Sequence, residues 1–184
     1  MQVRWADLDA PGLSSPWLLQ PLVIALAAVG AMCFLQGFVR LRRRGRADHA
    51  PWSRVLLFAV GLALLVLPLV SPLDEFGDRY LLSAHMLQHV LIGDAAPALI
   101  LLALRGPLLL FAVPAALLGA LGRSEPLRRA GSWVARPRVA VVAWTLAFAG
   151  WHVPAAYDYA AAHTQAHALE HATFVAAAFS SGGS

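Results

Sequence analysis

Long apolar runs alternate along the chain with short polar breaks that carry arginine. A helix rises 1.5 Å per residue, so roughly 17–25 apolar residues cross the hydrocarbon of a bilayer. Runs of that kind extend from Trp17 to Val39, from about Arg54 to Ser71, and from Tyr80 to about Leu104. Pro68 and Pro72 mark the frayed end of the second, and the third contains His85, His89, Asp94 and Pro97. Val139 to about Pro154 is a shorter fourth run, and a fifth begins near His163 and reaches Phe179. The pattern predicts an all-α fold, a polytopic transmembrane bundle of about five spanning helices forming one domain over residues 1–184.

The segment Pro107–Leu121 fits no single template. It is apolar but short, with Pro114 in its middle, which suits a short span, a re-entrant piece or an interfacial helix. Arginine placement arbitrates, because cytoplasmic loops collect Lys and Arg. If the segment does not cross, Arg40, Arg42, Arg43, Arg44, Arg46 and Arg54 share one side with Arg105, Arg123, Arg128, Arg129, Arg136 and Arg138. The opposite side then holds Arg4 and Arg79 among Asp7, Asp9, Asp74, Glu75, Asp78 and Asp158. A non-spanning segment and an N-terminus outside are therefore expected. Residues 1–16 carry Arg4 against Asp7 and Asp9, and the following run exceeds the usual apolar core of a signal peptide, so an uncleaved first helix is expected.

Composition narrows the class. Apolar residues make up 59% of the chain and charged residues 13%, against about 25% charged in a soluble domain. Mean hydropathy is +0.65. The net charge of +4 comes from 14 basic residues that are all arginine, clustered between apolar runs. That distribution is a topology signal, and no nucleic-acid partner is expected. The single cysteine, Cys33, excludes an internal disulfide and any multi-cysteine metal centre, and its place in the first run reads as packing. Trp5, Trp17, Trp52, Trp133 and Trp151 fall near run ends, where amphipathic rings prefer the membrane interface.

Histidines are the candidate chemistry. Six of the seven lie in or beside the runs, and the topology chosen from arginine alone places all six toward the outer face. Residues four apart on a helix differ by about 40° in direction and 6 Å in height. His85-x-x-x-His89 therefore aims two imidazoles at one point, and His167-Ala168-Leu169-Glu170-His171 does the same with Glu170 flanking. His152, ending the fourth run, can cap such a pair of helices. Polar side chains in a bilayer normally face a bundle interior, and imidazole suits copper, zinc, iron and nickel. A lone intramembrane histidine more often bonds across helices. Two pairs plus His152 favour metal, with His163, Met86, Glu170 and Asp94 as possible secondary participants. Asp94 serves equally well as a backbone partner beside Pro97 or as a proton relay. His49, in the arginine-rich loop, is expected to be solvated. No nucleotide loop, nucleophile elbow or pair of catalytic carboxylates is present, and no catalytic residue is assigned.

These residues resemble the Bacillus-type CtaG family, assembly factors for haem–copper cytochrome c oxidases. The resemblance rests on Ser83-Ala84-His85-Met86-Leu87-Gln88-His89, on Trp151-His152-Val153-Pro154-Ala155-Ala156-Tyr157-Asp158 and on His167-Ala168-Leu169-Glu170-His171, with Ser71-Pro72-Leu73-Asp74 through Arg79 resembling the family's first external loop. It covers roughly residues 70–175, in the family's order. It implies a multi-pass protein of the bacterial plasma membrane, without enzymatic turnover, that matures an oxidase and handles copper on the outer side. The family's histidines map onto His85, His89, His152, His167 and His171. Its partners are the oxidase subunits and the lipid bilayer. Family members are longer, with further spans after this last helix, so a C-terminal truncation relative to the family is expected. Three other readings stand beside this one: a bis-His haem protein, a di-iron membrane enzyme, and a structural scaffold whose histidines bond between helices.

Overall fold

The computed structural model describes residues 19–71, 82–134 and 136–181, and every regular element among them is helical. Trp5, Trp17 and the loop resembling the family's external segment lie outside the described residues, apart from Ser71. The first apolar run forms α1, Leu19–Arg43, and the second forms α2, Trp52–Val70, after a single 3-10 turn at Ala47–His49. The third forms a continuous helix, α3, in three parts: Leu82–Val90, a π-helical stretch Leu91–Ala95, and Ala96–Leu104. Pro97 explains the middle part. It has no N–H for the carbonyl four residues earlier, and the ladder widens by one residue, with the Ala96 N–H reaching Leu91 O.

Pro107–Leu121 does not form one continuous helix. Gly106, with φ of +71°, turns the chain out of α3. The following residues divide into α4, Pro107–Ala112, and α5, Ala115–Arg123, separated by extended Val113 before Pro114. The helix α4 lies against α1 where Gly37 has no side chain; a Cβ there would meet Ala112 N at 2.6 Å. A short helix α6, Glu125–Val134, follows.

The fourth run forms α7, Pro137–Trp151, and the chain bends by 73° into α8, Pro154–Ala162. The last run forms α9, Thr164–Ser181. Among the described residues, three helical segments are long and apolar enough to cross a membrane: residues 21–43, 47–70 and 83–104. The α7–α8 pair makes a fourth if the bend is one broken span. Of the five spans read from the sequence, three or four meet the length and hydropathy of a crossing helix, because Gln165, His167, Glu170 and His171 dilute the apolar character of α9.

Two cores are stacked along α3. Toward its C-terminal end Phe34, Phe38, Leu41, Phe58, Ile100, Ala103 and Leu108 pack together, with Phe34 and Phe58 stacked at 4.1 Å between ring centroids. Gly61 lets α2 close on Ile100. Arginines finish this end: Arg54 donates to the carbonyls of Ala103 and Arg105, which the end of α3 leaves without helical partners. Arg42 donates to Ala50 O at 2.9 Å and lies over the Phe38 and Trp52 rings. The core toward the N-terminal end of α3 is polar.

Candidate metal centre

That polar core is assembled from three helix faces. On α3, His85, Gln88 and His89 fall within an arc of about 100° and are all buried. On α9, His167, Glu170 and His171 form the matching arc, also buried, with Glu170 only 1% exposed. The corner between α7 and α8 supplies the third face. Pro154 forces Val153 into extended backbone and leaves His152 as the C-cap just past α7, at the bend.

The rings converge. His85 and His89 lie 4.2 Å apart between centroids, His167 and His171 4.3 Å, His85 and His167 5.6 Å, and His89 and His171 5.3 Å. His152 sits 5.8 Å from His89, and Tyr157 of α8 meets the edge of His85 at 5.7 Å. His89 Nε2 is 3.6 Å from a Glu170 oxygen. One ligand atom from each of His85, His89 and Glu170 lies within 4.8 Å of the others. Phe174, nearly fully buried, forms the floor on the apolar side, 4.7 Å from His89.

Several of these groups are held in orientation by bonds outside the cluster. The carbonyl of Phe148 lies 2.7 Å from His152 Nδ1. A carbonyl only accepts, so Nδ1 carries the proton and Nε2 keeps its lone pair. That Nε2 is buried and has no hydrogen-bond partner among the described residues. The same lock, one ring nitrogen to a carbonyl and the other left basic, orients metal-binding histidines generally. Trp151 donates its indole N–H to Thr173 Oγ1 at 2.9 Å, and Thr173 donates to Glu170 O at 2.7 Å, tying α7 to the turn that carries Glu170. The ring expected at the membrane interface is thus a helix-to-helix tie. Gln88 donates to Pro68 O at 3.3 Å. Residue 72 is also proline, so no backbone N–H is available there for that carbonyl.

The arrangement suits a metal ion chemically. His167 Nε2 and His171 Nε2 are 3.0 Å apart. Two nitrogens bound at about 2.0–2.1 Å to one ion stand about 2.9 Å apart at a right angle and about 3.4 Å apart in a tetrahedron. The pair is thus spaced as neighbouring ligands are, within hydrogen-bond reach of one another.

Of the residues singled out in the sequence, His85, His89, His152, His167, His171 and Glu170 are brought together. His163 is not: it is exposed, stacked on Tyr159 at 4.1 Å, with Nδ1 donating to Tyr159 O. Asp94 lies on the π-helical stretch with its side chain exposed, while neighbouring Ile92 and Gly93 face the interior. Met86 is half-buried, about 60° around the helix from His89. His49 is exposed beside Asp48 at 3.3 Å, and Cys33 is half-buried in α1. Sequence reasoning missed Gln88 and Tyr157. The signal for Gln88 was present, since a glutamine one turn from His85 and adjacent to His89 shares their arc.

No curated protein and no solved structure matches the chain. A family model does match, over residues 32–181, and that stretch takes in α3, the α7–α8 corner and α9 with all five clustered histidines. The chain belongs to the cytochrome c oxidase caa3 assembly factor family, CtaG.

Proposed function

We propose that this CtaG-family chain serves oxidase assembly by holding copper at the polar core and passing it to an oxidase subunit. The single observation that carries the reading is the convergence of four buried imidazoles, the buried Glu170 carboxyl and the half-buried His152 from three helix faces. Buried donors of this type are costly in a membrane unless they serve a site. Copper(II) binds nitrogen and oxygen donors more tightly than the other first-row divalent ions. His85, His89 and Glu170 form the nearest-fitting donor set, His167 and His171 the neighbouring pair, and His152 presents its basic Nε2 from the corner. Holding an ion through both Nε2 atoms would require His167 and His171 each to be neutral with the proton on Nδ1. Binding and release involve no turnover, and no catalytic step is assigned to these residues.

The packing favours an ion over haem. The imidazoles touch ring to ring, and Phe174, Gln88 and Glu170 occupy the space around them, whereas a porphyrin needs a flat slot between its two axial histidines. In this reading the protein sits in the bacterial plasma membrane, with the histidine end and the N-terminus outside and the arginine end cytoplasmic. The runs at α7–α8 and α9 complete five spans. The test is complementation of cells lacking their own factor. Chains carrying His85→Ala or His171→Ala are expected to accumulate in the membrane while the oxidase fails to mature; full oxidase maturation with both variants would refute the reading.

A further inference from the structure

The helix α6 lies far from the histidines and has a different character. Every residue from Glu125 to Val134 is exposed, and the helix packs against α5 and α7, its neighbours in sequence. At 100° per residue its two sides separate cleanly. Pro126, Leu127, Ala130, Gly131, Trp133 and Val134 occupy one side, while Glu125, Arg128, Arg129 and Ser132 share the other. Leu127 is 52% exposed and Trp133 55%. A ten-residue helix with that much bare apolar surface is not stabilised by its own protein core.

We infer that α6 lies in the plane of the bilayer surface and, with the arginines around it, binds anionic phospholipid. Two observations identify lipid as the occupant. First, the flanking elements carry bare apolar residues of their own, Leu117 in α5 and Val141 and Val142 in α7, so α6 joins segments that already face hydrocarbon. Second, the charge is one-sided: Arg123, Arg128, Arg129, Arg136 and Arg138 surround a single acidic residue, Glu125, which pairs with Arg129. An in-plane helix buries its apolar side at the acyl boundary and turns arginine toward the headgroups, and Trp133 sits where an indole ring is favoured. Arg128 and Arg138 are exposed and available to phosphate. The helix anchors the arginine end of the bundle at a fixed depth and gives the protein a preference for membrane rich in anionic lipid.

The test uses the full chain with Cys33→Ser, labelled with an environment-sensitive dye through either Leu127→Cys or Ser132→Cys. The labelled proteins are reconstituted in phosphatidylcholine discs with and without phosphatidylglycerol. The dye at 127 is expected to shift to the blue and to be quenched by spin-labelled lipid, and the dye at 132 to be quenched only from water. Mass spectrometry of purified protein is expected to find retained phosphatidylglycerol falling about fivefold for each arginine removed in Arg128→Gln and Arg138→Gln. Quenching at 127 from water alone, or shielding there that persists in detergent because another protein covers it, would overturn the inference. So would phosphatidylglycerol retention unchanged in the double variant.

Discussion

Gln88 and Glu170 sit on the two facing arcs of the polar core, and their roles are separable. Gln88 satisfies the Pro68 carbonyl, so Gln88→Leu leaves a buried acceptor unpaired and is expected to cost about 1–3 kcal/mol. Thermal unfolding in detergent reads this as a Tm lowered by several degrees, and an unchanged Tm would show that the bond is idle. Glu170→Gln keeps the shape and replaces a carboxyl oxygen 3.6 Å from His89 with an amide. It is expected to weaken copper binding by about 10–100-fold, measured by competition with a chelator. Because imidazole must be neutral to bind an ion, copper affinity is expected to fall on acidification, and an affinity that stays constant into acid would argue against histidine ligation. The histidine pairs were legible in the sequence because four-residue spacing fixes a shared face. His163, a possible secondary participant in the sequence, stands outside the cluster because depth along the chain does not fix direction: as the last residue before α9 it turns back onto Tyr159.

At the level of elements, two glycines in α1 make a controlled comparison. A Cβ at Gly37 would meet the α4 backbone at 2.6 Å, while one at Gly30 meets nothing within 4 Å. Gly37→Ala is expected to destabilise by about 1–3 kcal/mol through overpacking, and Gly30→Ala to be neutral or stabilising by up to about 1 kcal/mol. Equilibrium unfolding of the two variants side by side checks both signs. The existence of the apolar helices was legible because period and length are sequence properties. The 73° corner at Trp151–Pro154 was not, although Val153-Pro154 marks a helix boundary, because a proline says where a helix ends and tertiary packing decides where the next one points. The same holds for Pro107–Leu121. Its ambiguity reflected a segment that turns at Gly106, pauses at Pro114 and gains its place by closing on Gly37.

Across the whole molecule, chemistry and charge are divided between two ends. Among the described residues, Arg42 and Arg54 finish the C-terminal end of α3, and His85, His89, His167 and His171 fill the core toward its other end. A cysteine at Ser124, on a Cys33→Ser background, is expected to react with an impermeant reagent from the cytoplasmic side, and one at Asp158 from the outside. Labelling of both from one side would reverse the proposed topology. The division was legible in arginine placement, whereas length and hydropathy alone count three or four spans where five were read, since α9 spends its hydropathy on its histidines and Glu170. The most direct test of the central claim is the copper content of detergent-purified protein, wild type beside the His85→Ala/His167→Ala double variant, with folding of both checked by circular dichroism. The account predicts copper held by the wild type, no haem Soret band, and copper lost from a folded double variant. A wild type that binds no copper, or a double variant that binds it equally well, would contradict it.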